Sequence, residues 1–505
     1  MDTKLLLIFK HTLLLFNKHI SKNDQTKKQK WYPIQPSHNS TRYNYPNERY
    51  CRPKIRPQDN INVLFPRTIY NIIHNTTTRL FQEKKKRKDT KIMKKTLTFI
   101  GLILLVLLIL STRHNTTSES IENLAYVIAI GIDNADNGLI ELTLQIATPS
   151  SDSSGGSSSS SSGQSSQATT TSVECTSINS GLNMVNSYIS KKLNLSHCKI
   201  VVFSEEFATG GISDEIATLA NNVQIRPDCS IVVSKCDAKD FININEPVLV
   251  TLTARFYEVV VRSGDYTGYS TNITLLDFYK ALKETSSEPV AILAGINVPS
   301  THTIPTDVNY IDLDSSYSAG EAFITNKNNM QISGLAVFHE GYLIGELTSM
   351  DSICHLLLKN KLQSSMISIA DPFNSTEIIN LSLTQYTAPD ISVKMVNGSP
   401  YITCNVHLKA NIVSLSSGSD FTKKENLQTI SEYANSYLAS HIGNYLYKTS
   451  KDYGADSIGF GRYIIHRYPT LNDWYNYNWN ANYKNAFFDV QVDTTITNSS
   501  LILKN

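Results

Sequence analysis

The residues with chemistry to offer are thinly spread along this chain. Glu205 and Glu206 stand side by side just after an apolar run, where they could pass for an acid/base pair. Neighbours in sequence do not face one another on a helix, and carboxylates at a helix start favour the positive end of its dipole. They read as helix-start residues. His197, His339, His355, His407, His441 and His466 are far apart, and none stands in a metal or nucleophile motif. Ser204 lacks a G-x-S-x-G context. "GFG" at Gly459–Gly461 has neither the third glycine nor the Lys-Ser/Thr of a phosphate loop, so its glycines read as backbone freedom in a turn before the strand-like "RYIIHRY". Asp133 to Gly138 superficially resembles a calcium loop, yet Ala135 takes the third ligand place and Leu144 stands where a bidentate Glu is required.

Seven cysteines (Cys51, Cys175, Cys198, Cys229, Cys236, Cys354, Cys404) form no C-x-x-C and no Cys/His cluster of zinc spacing. Cys198 with Cys229, or Cys229 with Cys236, could bridge if the fold brings them together; otherwise they are small buried hydrophobes. The aromatic stretch "DWYNYNWNANYKNAFF", Asp473 to Phe488, holds Trp474, Tyr475, Tyr477, Trp479 and Tyr483 among asparagines. It could line a sugar or peptide surface or a subunit contact, or half of its rings could pack on a long helix at 422–448. No catalytic, cofactor or metal residues are expected, and the chain reads as a non-enzyme.

The elements that must hold these residues alternate in kind. Leu124–Asp133 and Leu139–Ala147 flank Asn137-Gly138 and form a hairpin. Ser151 to Ser172 is a Ser/Gly/Thr tract that reads as a flexible surface loop. Helices are expected over Ser177–Leu193, Ser213–Val223, Val248–Arg262, Thr274–Lys283, Met350–Leu362 and about Thr422–Lys448. Strands are expected over His197–Ser204, Ser230–Lys235, Ala291–Val298, two within Ile332–Thr348, then Glu377–Tyr386, Ile391–Val396, Tyr401–Val413 and Ala486–Thr495. Without βαβαβ regularity this is α+β. The 505 residues allow two to four domains, divided at about 119–300 and 330–505.

Charge separates the ends of the chain. The first 95 residues carry 22 Lys and Arg against 6 Asp and Glu, leaving 24 basic and 38 acidic residues for the remainder. An acidic body argues against nucleic-acid binding. Between Lys95 and Arg113 lie 17 uncharged residues, Thr96 to Thr112, roughly 25 Å as a helix, the short limit for crossing a bilayer. Basic residues precede it, which puts its start in the cytoplasm and the body outside. Its end, "LILST", lacks a small-x-small cleavage site, so residues 93–113 read as a retained anchor. Met93, followed by Lys-Lys and the apolar block, has the form of an export leader's start. Residues 1–92 then read as upstream sequence outside the protein or, if translated, as a disordered cytosolic tail.

The order "LAYVIAIGID", "KKLNLSHCKIVVFSEEFA", "ISGLAVFHEGYLIGELTSMDS" and "DYGADSIGFGRYIIHRYPTLNDW" resembles the GerAC family, the C subunits of spore nutrient germinant receptors. Gly131, Asp133, Glu205, Glu206, Gly334, Val337, Phe338, Gly345, Asp456, Gly459, Gly461 and Trp474 carry the resemblance, over about Ile121 to the carboxyl end. It implies a mixed α/β protein of three small domains, non-catalytic, on the outer face of the spore's inner membrane beside an A and a B membrane subunit. The family usually has a lipidated cysteine after its leader, whereas this chain has Ser111-Thr112-Arg113 there. A spanning helix would tether as durably. The other reading is a membrane-tethered solute-binding protein that delivers small nutrients to a permease.

Overall fold

The computed structural model describes residues 98–105, 121–148, 168–244, 252–297, 317–322, 324, 329–415 and 423–497. Residues 98–105 are helical with exposed apolar side chains. The rest of the expected anchor, 93–113, and all of 1–92 lie outside the described residues. Among the described residues no helix is long and apolar enough to cross a membrane.

The unit Thr116–Asn505 is built on two sheets. The first opens with β1 (Leu124–Asn134), β2 (Ile140–Ala147) and β3 (Ala168–Cys175) as an antiparallel meander. The β1–β2 turn uses Asn137 and Gly138 at positive φ, as an Asn-Gly hairpin requires. After α1 (Ile178–Tyr188) and the short β4 (Lys192–Asn194) come β5 (Ile200–Ser204), α2 (Glu205–Thr209), α3 (Ser213–Asn221), β6 (Ser230–Ser234), α4 (Ala238–Asn243), α5 (Thr253–Val260), α6 (Leu275–Lys283) and β7 (Val290–Ile296). Strands β1, β5, β6 and β7 are mutually parallel. Every residue of β5 and β6 is buried, the continuous apolar pattern of strands covered on both faces. β8 (Met330–His339) and β9 (Tyr342–Leu347) close the nine-stranded sheet by antiparallel pairing. This sheet therefore draws strands from both sides of the 300/330 boundary.

α7 (Ser349–Leu358) follows, started by a reciprocal capping box between Thr348 and Asp351. Nearly all of it is buried, because it lies against β8 on one side and the long helix of the second half on the other. The second sheet has β10 (Ser365–Asp371), β11 (Asn374–Gln385), β12 (Asp390–Val396) and β13 (Ser399–Leu415) in antiparallel array. α8 (Lys424–Tyr447) then crosses over, and α9 (Leu471–Tyr477) and α10 (Trp479–Tyr483) precede β14 (Phe487–Thr497), which lies parallel to β13. A parallel pair needs such a crossover. α8 buries Ile430, Ala434, Leu438, Ile442, Tyr445 and Leu446, a stripe at helical spacing.

Several expectations need correction. A βαβαβ unit is present, β5 to β7, hidden in the sequence by the length of the β6–β7 connection, which holds α4, α5 and α6. The Ser/Thr tract is not loop throughout: Ala168–Ser172 is strand, while 149–167 lie outside the described residues. The helix expected to reach Leu193 stops at Tyr188, and Leu193 pairs with Ala125 in β4. "RYIIHRY" is not strand-like but a run of 3₁₀ turns, Phe460–Tyr463 and Ile465–Arg467.

Candidate functional site: a buried clasp around Asp456

The last motif of the sequence folds around one carboxylate. Asp456 is fully buried just beyond the turn of π-helix, Lys448–Tyr453, that prolongs α8. Its Oδ1 accepts from Gly459 N at 2.7 Å, and its Oδ2 accepts from Gly461 N at 3.0 Å and the Trp479 indole Nε1 at 2.8 Å. Burial pushes its pKa up, and the N–H groups of Gly461, Phe460 and Gly459 with the Trp479 indole pull it back. Gly459 sits at φ +87°, and a Cβ on Gly461 would stand 2.9 Å from the carbonyl oxygen of Ser286. The first glycine supplies the turn, the second the close approach.

What it approaches is the segment that leads into β7. Glu288 donates its backbone N–H to Asp456 O at 2.8 Å. Its own carboxylate, also buried, takes the Glu340 N at 3.2 Å and the Asn480 amide, and pairs with His339 Nδ1 at 3.1 Å. The hydrogen bond to Glu288 chiefly raises the His339 pKa. Arg462 grips Glu284 in a two-pronged fork at 2.8 and 2.6 Å, and this guanidinium holds the Glu284 carboxyl down at about 2. Trp474 donates from Nε1 to Thr285 Oγ1 at 2.9 Å. Residues 284–288 are thus held by three side chains of 456–480, Arg462, Trp474 and Asn480, and by the Asp456 carbonyl.

The aromatic stretch divides by burial. Trp474, Trp479 and Tyr483 are buried, whereas Tyr475 is 58% exposed. Trp474 stacks on Trp479 at 6.0 Å, Trp479 lies 5.8 Å from Tyr483, and Tyr483 meets Phe488 edge-on at 6.0 Å. The rings pack on one another and on Phe460. At the end of α8 Tyr447 meets Phe488 edge-on, and Thr449 beyond it bonds the Tyr483 hydroxyl. The rings form a column that reaches the 422–448 helix at Tyr447.

The other candidate residues stay apart. Ser204 caps α2, accepting from Phe207 N, and Glu205 and Glu206 occupy its first turn. The Asp133 carboxylate accepts from Ala238 N at 2.7 Å and Lys239 N at 3.0 Å, at the start of α4. His355 is in the core, bonded through Nδ1 to the Tyr445 hydroxyl at 2.8 Å, and burial drives its pKa well down. His407 lies between Asp390 and Asp493, His441 against Tyr437, and His197 edge-on to Tyr126. Cys198 and Cys229 do meet, as free buried thiols with Sγ atoms 3.6 Å apart. Glu284, Glu288, Asn480 and Lys359 escaped sequence reasoning, since nothing local announces partners 99 to 192 residues away.

Among the described residues, no group of three or more His, Cys, Asp or Glu side chains is placed to hold a metal ion. Both clasp carboxylates already accept from the protein's own donors. The arrangement joins residues from either side of 300–330, and a family model matches on each side. Residues 117–296 match the family described as "Spore germination protein N-terminal domain", and residues 333–500 match "Spore germination B3/ GerAC like, C-terminal". The chain belongs to the GerAC family of spore germination proteins. It is 25% identical over 387 residues to spore germination protein KC of Bacillus subtilis, covering 76% of this chain and 91% of that one. It is 22% identical over 413 residues to the putative spore germination protein YfkR of the same organism, covering 82% and 99%. The crystal structure of the GerBC protein aligns at TM-score 0.41 and 13% identity, covering 73% of this chain and 97% of that one.

Proposed function

We propose that this protein is the C subunit of a nutrient germinant receptor in endospores and works beside membrane A and B subunits. The observation that carries the reading is the presence of both GerAC halves in order, 117–296 and 333–500. The Asp456–Glu288 clasp ties residues of the first half to residues of the second. The body is a non-catalytic scaffold, and it supports this role that the clasp carboxylates of Asp456 and Glu288 accept from internal donors. The uncharged stretch Thr96 to Thr112 tethers it as an uncleaved helix to the outer face of the spore's inner membrane.

The test is deletion in a strain without a paralogous receptor. Nutrient-triggered germination is expected to fail and to return with the wild-type chain. Unchanged germination of the deletion strain overturns the reading. For the tether, membrane fractionation is expected to recover the unprocessed chain in the pellet, and a processed soluble protein contradicts it.

A further inference from the structure

A cleft of about 270 Å³ opens beside the clasp, at the carboxyl end of α7. Leu358, Ile391 and Ile458 give it an aliphatic wall, and Lys359, Arg462 and Tyr463 give it a polar one. Lys359 is the unusual member. Its ammonium donates to a single neutral acceptor, the Ile458 carbonyl, at 3.1 Å. Among the described residues no carboxylate lies within ion-pair range of it. An ammonium carries three donors, so two are left for something else. Burial lowers its pKa to about 8, helped by Arg462 and Lys361 and opposed by Asp456 and Glu284. Arg462 adds a second positive charge to the lining, and its guanidinium is already committed to Glu284. The cleft therefore offers a fixed cation at its rim, one under-used cation within, and no lining carboxylate.

We propose that this cleft binds a small monocarboxylate with a short branched aliphatic tail, its carboxylate on the Lys359 ammonium and its tail against Leu358, Ile391 and Ile458. The volume lies just under the usual range for ligand pockets, which limits the occupant to a handful of heavy atoms. A charge-assisted bond in a partly dry site is worth more than the same contact in water. The site does not depend on the receptor role.

The test uses the full chain in detergent and follows acylation of Lys359 by an acetyl N-hydroxysuccinimide ester, read by peptide mass spectrometry from pH 6 to 11. Without ligand, the reactivity midpoint is expected near pH 8. With 10 mM isovalerate, the Lys359 rate at pH 8 is expected to fall at least tenfold while that of exposed Lys361 is unchanged. Isovaleramide, which has the tail without the charge, is expected to protect less than twofold. Lack of protection by isovalerate overturns the proposal. Equal protection by inorganic phosphate also overturns it, because the aliphatic wall would then select nothing. Equal isovalerate binding by wild type and Lys359→Met in calorimetry likewise contradicts the assigned contact.

Discussion

Two charged groups flank Ile458 and meet opposite fates. Asp456 is fully buried, yet each of its oxygens accepts from N–H groups, and its own carbonyl accepts from Glu288. Lys359 is only partly buried, yet it has one neutral partner. Burial by itself therefore says little about function. A buried ion with its valences filled is a structural joint, and one with valences free has the makings of a binding group. The glycines and the indole around Asp456 satisfy it; in the cleft the Ile458 carbonyl alone, among the described residues, accepts from Lys359.

The sharpest way to break the comparison is to empty the joint. Asp456→Ala strands the N–H groups of Gly459 and Gly461 and the Trp479 indole, and a loss of about 3–5 kcal/mol is expected in denaturant unfolding. A loss under about 1 kcal/mol would mean that Asp456 is no joint. Trp479→Phe keeps the ring column and removes one donor, for an expected cost of about 1–3 kcal/mol. Tyr475→Ala, at an exposed ring of the same stretch, is expected to stay within about 0.5 kcal/mol. Equal costs for those two would dissolve the division into core and surface rings.

The cleft predicts a pH effect of opposite character. Folded Lys359 has a pKa of about 8, below the ~10.4 of a free lysine, so the unfolded chain binds more protons between those values. Stability is expected to rise with pH across that window and to lose that rise in Lys359→Met. A wild-type curve that is flat, or one that the variant reproduces, contradicts a desolvated ammonium. The smallest effect belongs to the fork. Glu284 is held at about 2, so its contribution is present above the unfolded value of ~4.3 and is lost as pH falls through 2. Glu284 is partly exposed, which screens the effect. Glu284→Gln is expected to lower stability modestly at neutral pH and to flatten the acid limb, so that variant and wild type converge as pH falls toward 2.

Local periodicity made much of the fold legible. The Asn137-Gly138 hairpin, the α8 stripe and the β8–β9 pair around Glu340-Gly341 stand where their residue types place them. β10, "SMISIAD", alternates buried and exposed as a strand should, but its serines mask the apolar face. The parallel order of β1, β5, β6 and β7 is a matter of crossovers, which no short window contains. In the site, Asp456, Gly459, Gly461 and Trp474 were picked out by resemblance, and the turn at Gly459 was legible, but their partners were not. Gly461 matters because Ser286 lies against it, and Trp474 because Thr285 accepts its indole proton. Such partners are chosen by tertiary packing, not by spacing.

The most direct test of the receptor reading is to purify the tagged full chain from detergent-solubilised spore inner membranes and identify what comes with it. The account predicts recovery of two multi-span membrane subunits in constant ratio, retained by the wild-type chain and lost when the clasp is broken by Asp456→Ala. Recovery of the intact chain alone, from spores in which those subunits are present, would contradict it.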